Sequence, residues 1–223
     1  MSTDELDELA DNACPGAGAC GGQFTANTMA STLTVMGLSP VGYNDVPATH
    51  DQKAEVAFKT GQLVMDAFRE DRRPDQLLTR ASLENAVAMV STTAGSTNAV
   101  LHLLAIAREA GVELSLDDFD RICQRTPVLA DLKPGGRFTA PDLTAAGGVA
   151  LLAQRLLDAD LLHDVPTVTG RSLEAEVAET RATPDQQVVR STEYPLKPQG
   201  GLAVLRGNLA PEGAVVKMSG AVR

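Results

Sequence analysis

The residues best equipped for chemistry lie close together near the start of the chain. Cys14 and Cys20 stand in the run Cys14-Pro15-Gly16-Ala17-Gly18-Ala19-Cys20-Gly21-Gly22, and a helix-forming stretch from Phe24 follows at once. Cysteine thiolates ligate soft metals and iron–sulfur clusters. Glycines let the backbone turn tightly and let another body approach closely. A helix start gathers free N–H groups that favour anions. A cluster ligand presented beside an acidic substrate would use all three. The thiol spacing is not the C-x-x-C knuckle of zinc sites, and by itself it favours two small half-buried thiols in a glycine turn over a metal site.

A second constellation is Thr92-Thr93-Ala94-Gly95-Ser96-Thr97-Asn98, which opens an apolar helix running to Ala110 with Gly111 as its terminator. Ser96 or Thr97 is a natural N-cap, and Asn98 and His102 share a face at i,i+4. Two readings stay open on these residues alone: an anion-binding helix start that receives a substrate carboxylate, or a capped helix with a satisfied histidine. Leu132-Lys133-Pro134-Gly135-Gly136-Arg137-Phe138 carries two cations on a glycine-proline loop, which suits either closure over an anion or an exposed turn. His50 beside Asp51 reads as a cap or surface group.

The elements that must position these groups are mostly helices. An acidic helix end occupies residues 1–12, and Phe24 to Met36 is a small-residue helix closed by Gly37. Asp51 to Arg69 is amphipathic, with Ala54, Phe58, Leu63, Met65 and Phe68 alternating with Lys and Glu, and Glu55 and Lys59 paired on the wet side. The run 69–74 is a solvated turn, Thr79 or Ser82 caps the next helix, and Ser115 to Arg125 is a short helix with Cys123 on its core side. Gly147-Gly148 breaks a helical stretch over 140–157, and Ser172 caps a further helix. After Pro184 the hydrophobic period changes to short β-type runs at 188–189, 202–205 and 214–218, separated by Pro and Gly turns. These readings place helices through most of residues 24–180, strands only from about 186, and a domain boundary near 184–197.

The core must be aliphatic, because hydrophobic residues make up 43% of the chain and aromatics only 3%. A net charge of −10, from 19 basic and 29 acidic residues with no basic run, argues against a nucleic-acid or anionic-membrane surface. No apolar run is long enough to span a bilayer and no signal peptide is evident, so a cytoplasmic location is expected. Three cysteines, an odd count, read as thiols or ligands rather than a disulfide frame.

The string CPGAGACGGQFTANTM closely resembles the cluster-binding segment of the dehydratase family that contains the dihydroxy-acid, 6-phosphogluconate and sugar-acid dehydratases. GSTN-x-x-x-H at Gly95–His102 and GGLAVLRGNLAPEGAVVKMSG at 200–220 resemble the same family, so the likeness runs along essentially the whole chain. By motif alignment the cluster ligand matches Cys20. Cys14 matches a cysteine typical of the amino-acid-pathway branch that is not the usual ligand, and Gln23 stands where methionine is more usual.

The resemblance implies an α/β protein: the mainly helical C-terminal part of an N-terminal iron–sulfur dehydratase domain over 1–185, then the first strands of a β-barrel-like C-terminal domain over 186–223. It implies an iron–sulfur cluster (2Fe-2S) held in part by Cys20, Mg²⁺, and a substrate region near Ser96, Thr97, Asn98 and His102. The implied activity is a hydro-lyase, removing water from 2,3-dihydroxy-3-methyl acids to give 2-keto acids in isoleucine and valine biosynthesis. A small-molecule substrate and a homodimer are the expected partners. In the family the other two cluster cysteines, the magnesium ligands and a carbamylated lysine lie upstream of this segment, and a catalytic serine and a further magnesium-ligand glutamate lie downstream. The chain is therefore expected to be an internal piece, inactive alone. A sugar-acid or 6-phosphogluconate dehydratase piece and a non-catalytic gene relic are the alternatives.

Overall fold

The computed structural model describes residues 1–13, 18 and 20–218. Cys14 and the residues after Met218 lie outside the described residues, and so do the expectations that fall on them.

An exposed acidic helix, α1 (Thr3–Ala13), leads into the cysteine loop. Helix α2 (Thr25–Val35) starts directly behind that loop and is built from small residues, with Thr28, Ser31, Thr32, Thr34 and Val35 buried. Small side chains let helix backbones approach closely, and the hydroxyls of Ser31, Thr32 and Thr34 return to carbonyls one turn back, so their burial leaves no orphaned donor. Helix α3 (Lys53–Arg69) and the short α4 (Pro74–Leu77) follow.

The core gathers around α5 (Arg80–Thr92). All its residues over 82–92 except Glu84 are buried, so it is covered on every side. It packs against α2, against α6 (Asn98–Glu109) and against α7 (Leu116–Arg125). Its N-terminus is fixed by a capping box in which Thr79 and Ser82 each bond the other's backbone, combining both expected caps. Asn85 is the one fully buried amide in this helix. It donates to the carbonyls of Val35 (3.2 Å) and His163 (2.8 Å) and accepts from the amide of His163 (2.8 Å), so a polar group becomes a cross-link between three segments.

Beyond the bridge-forming stretch 128–130, α8 (Ala140–Ala146) and α9 (Gly148–Leu157) meet at Gly147-Gly148, both with positive φ, and α10 (Leu173–Val177) is capped by Ser172 on the amide of Ala175. Strands β1 (Leu202–Gly207) and β2 (Ala210–Lys217) form one antiparallel hairpin with Leu202 opposite Lys217 and Val204 opposite Val215. The chain is thus mixed helix and sheet, with helices at 3–13 and over 25–177 and its two strands, among the described residues, after 200. The β-type run at 188–189 forms only an isolated bridge, Val189 to Ala130. No helix among the described residues is long and apolar enough to cross a membrane.

The apolar residues of α3 do not enter the core: none of its residues is buried, and Phe58, Met65 and Phe68 are 68%, 48% and 80% exposed. Periodicity reports that a helix has an apolar face but not what covers it.

Candidate functional site

Cys20 is exposed at the rim of a cleft of about 430 Å³ whose walls are the cysteine loop, the first turns of α2, residues 44–49, and the start of α8. Its thiol donates to the carbonyl of Gly22 at 3.4 Å. The loop is held from two sides. Asn27 donates to the carbonyls of Cys20 (3.1 Å) and Gly22 (2.7 Å) from α2. From the other side the amide of Gln23 donates to the carbonyl of Lys133 (2.6 Å), and the amide of Ala140 donates to the carbonyl of Gly21 (2.7 Å). The glycine-proline loop at 132–138 thus clasps the cysteine loop. Asp131, buried, anchors that clasp through the Arg137 side chain (2.6 Å) and backbone amide (3.0 Å).

The far wall of the cleft is Asp45. Its carboxylate accepts from the amide of Val149 (3.0 Å) at the start of α9, and its backbone carbonyl accepts from Thr144 Oγ1 (2.7 Å). A Cβ at Gly148 would collide with this carboxylate, and φ there is +70°, so both space and backbone require glycine. Burial pushes the Asp45 carboxyl above its ordinary value, and the Val149 bond offsets only part of that. Lys53 reaches the same cleft from α3 and donates to the carbonyl of Val46 at 2.9 Å.

The second sequence constellation docks on the opposite side of α2. Residues two apart on a helix point about 200° apart, so Asn27 serves the cysteine loop while Thr25 serves α6. Ser96 Oγ lies 3.2 Å from Thr25 Oγ1, Asn98 Nδ2 donates to Thr25 Oγ1 at 2.8 Å, and the Ser96 amide donates to Thr28 Oγ1 at 3.0 Å. The approach is close enough that a Cβ on Gly95 would lie 2.7 Å from Thr28 Cγ2. Thr97 occupies the cap position without a side-chain cap bond, and Ser96 Oγ takes the Asn98 amide instead (3.2 Å). His102 is exposed one turn further on, with no hydrogen-bond partner among the described residues. Ser96, Thr97, Asn98 and His102 therefore stand together beside α2 but do not line the cleft that Cys20 borders.

Cys123 is buried on the inner face of α7, and burial pushes its thiol up to about 11, which suits a core residue and not a ligand. Sequence reasoning passed over Asp45 and Asn27 as site residues. Asp45 lay in a stretch with loop composition, and Asn27 carried no signal beyond its place in the motif.

An exposed thiol on a braced glycine loop fits one soft-metal ligand position. Among the described residues no three His, Cys, Asp or Glu side chains converge on a metal site, so the described residues do not form a magnesium cage.

Family models divide the chain between the two ends of one enzyme type. The dihydroxy-acid/6-phosphogluconate dehydratase N-terminal model matches residues 1–176, and the corresponding C-terminal model matches residues 187–223. The chain is 56% identical over 221 residues to the dihydroxy-acid dehydratase of Roseiflexus castenholzii, covering 99% of this chain and 40% of that protein. It is 57% identical to that of Koribacter versatilis over 221 residues (99% and 39%), and 55% identical to that of Thermus thermophilus over 225 residues (100% and 40%). The chain spans about 40% of the length of these curated relatives. A match of this extent, carried by both models in chain order, places the chain in the dihydroxy-acid/6-phosphogluconate dehydratase family.

Proposed function

We propose that this chain is the cluster-bearing portion of a dihydroxy-acid dehydratase. The observation that carries the reading is the exposed Cys20 thiol, held at the rim of a cleft by a loop clasped on both sides. The identity of 55–57% to relatives that are dihydroxy-acid dehydratases favours this branch over the sugar-acid branch.

The reaction removes a proton from C2 and hydroxide from C3 of a 2,3-dihydroxy acid. The products are water and an enol, which tautomerises to the 2-keto acid. An iron–sulfur cluster, when bound, supplies a Lewis-acidic iron for the departing hydroxyl. Cys20 would hold one corner of it. Asn27 and the carbonyl of Lys133 fix the loop so that the thiol keeps one position, which is what preorganisation requires. The expected substrate region at Ser96, Thr97, Asn98 and His102 stands on the other side of α2 from this cleft, and Ser96 and Asn98 are proposed to serve the site by holding Thr25 of α2. Magnesium, a homodimer, the isoleucine and valine pathway and a cytoplasmic location belong to the same proposal for the whole enzyme.

The test is a chimera in which this chain replaces the matching segment of the Thermus thermophilus relative. The chimera is expected to form keto acid from 2,3-dihydroxyisovalerate and to bind iron, and Cys20→Ser is expected to lose both while Cys14→Ser retains its cluster. A chimera that keeps cluster and turnover with Cys20→Ser overturns the assignment. The isolated chain, reconstituted anaerobically with iron, sulfide and magnesium, is expected to show no turnover above its Cys20→Ser control.

A further inference from the structure

Buried amide groups almost always find partners. Gln23 breaks this rule inside the cleft: its side chain is 2% exposed, it lines the cleft beside Cys20, and its Nε2 has no hydrogen-bond partner among the described residues. Its own backbone amide is tied to the carbonyl of Lys133, which fixes the main chain from which the side chain enters the cleft. A buried donor left without water or partner costs free energy, and a methionine-like apolar side chain of similar size would avoid that cost. The donor is therefore a feature that needs a use.

Its surroundings say which kind of acceptor fits. Gln23 immediately precedes α2, an 11-residue helix whose N-cap is Phe24, with no side-chain cap bond. The first turn of α2 thus presents uncapped N–H groups and the positive end of its dipole. Lys53 adds a cation to the same cleft. Among the described residues the one carboxylate in the cleft wall, Asp45, is already tied to the amide of Val149 at the far side of the cleft. By contrast the start of α6 uses its first amides on Ser96 and Thr97 and has no such free donors.

We propose that Gln23 Nε2 and the start of α2 form a subsite for an anionic oxygen of a small carboxylic acid, with Gln23 as the residue that selects it. The subsite itself stands on the geometry of this chain. Only the identity of its natural ligand, a 2,3-dihydroxy acid, rests on the dehydratase reading.

The experiment follows the side-chain amide resonance of Gln23 in the ¹⁵N-labelled chain, assigned by its absence in Gln23→Met. It is titrated with 2,3-dihydroxyisovalerate, with acetate, and with the neutral 2,3-butanediol, all at millimolar concentrations. The expected result is a saturable shift with the dihydroxy acid, a weaker one with acetate and none with the diol. Equal response to both acids supports the anion subsite and counts against the dehydratase substrate, so the two ideas fail separately. Response to the diol, or to none of the three, overturns the subsite. In Gln23→Met, binding followed on the Asn27 amide is expected to weaken about tenfold or more, with Tm equal to or above that of the parent chain. A lower Tm in this variant would show that the amide is already paired in the fold, and the proposal would fall.

Discussion

A carboxyl group packed against a helix start gives up part of its hydration, and Asp45 shows both sides of that exchange. It caps α9 through Val149, yet burial is the larger effect and raises its pKa. A group whose folded-state pKa is raised above the unfolded value loses stability as pH rises from the ordinary carboxylate range through the folded value. Asp45→Asn removes that loss and keeps an acceptor for Val149. The Tm of the variant relative to the parent is therefore expected to climb as pH rises above the ordinary carboxylate value of about 4. A difference that stays flat as pH rises from about 4 would show that the carboxyl is not desolvated. Gly148→Ala is expected to act in the opposite direction at all pH values. Its Cβ meets the Asp45 carboxylate and its φ is +70°, so a loss of about 2 kcal/mol, some 4–8 °C in Tm, is expected by thermal melting. At this scale the sequence spoke unevenly. Cys20 announced itself through glycines and motif. Asp45 did not, because its partner Val149 is 104 residues away and no local pattern encodes that pairing.

The elements were easier to read than their contacts. Helix starts at Thr79 and Ser172 follow from side chains that accept from first-turn amides, and at Ser115 the Asp118 carboxylate reaches back to accept from the Ser115 amide and hydroxyl, local interactions that sequence spacing records directly. What holds the elements to one another is less visible. Arg80 of α5 donates to Glu84 (3.0 Å) and to Asp118 of α7 (3.1 Å). Arg121 reaches the same two carboxylates at 3.1 and 3.0 Å, and His163 closes the group on Glu84 at 2.9 Å. The Arg80 bond, followed by those of Arg121 and Ser115, outweighs desolvation and holds Asp118 well below the usual carboxylate range. At Glu84 desolvation is the largest single influence, but the combined bonds from His163, Arg121 and Arg80 hold its pKa below the usual value. Carboxyls depressed in the fold contribute stability above their unfolded pKa and lose it as pH falls towards the folded value. Asp118→Asn is therefore expected to cost about 1–2 kcal/mol at pH 7, both arginines being partly exposed. That cost should shrink as pH falls from about 5 towards 2. A Tm difference unchanged down to pH 3 would remove the network from the account of acid stability.

For the whole molecule, the decisive feature is the apolar surface that the described residues leave uncovered. From Phe58 to Phe68, α3 carries an outward stripe about 15 Å long with Met65 between. The helix and residues 38–44 line a groove of about 620 Å³ that Phe68 also borders. Helical spacing in the sequence marked an amphipathic helix here, and the apolar face is present in the structure. The fold of these residues simply offers nothing to cover it. The relatives are about two and a half times as long as the region they share with this chain. A buried aromatic side chain removes about 150–250 Å² from water, so two exposed phenylalanines and a methionine are enough to drive weak contact between copies at about 25 cal/mol per Å². The isolated chain is therefore expected to associate with rising concentration, seen as increasing mass in sedimentation velocity. The double substitution Phe58→Ser and Phe68→Ser is expected to suppress that association and leave Tm within about 2 °C of the parent, because neither ring is buried in the fold and surface substitutions rarely cost more than about 0.5 kcal/mol. A drop in Tm with the double variant would mean that the rings stabilise the monomer. Association that persists unchanged would move the sticky surface elsewhere, first to the hairpin tip at Leu205 and Leu209, which is also exposed.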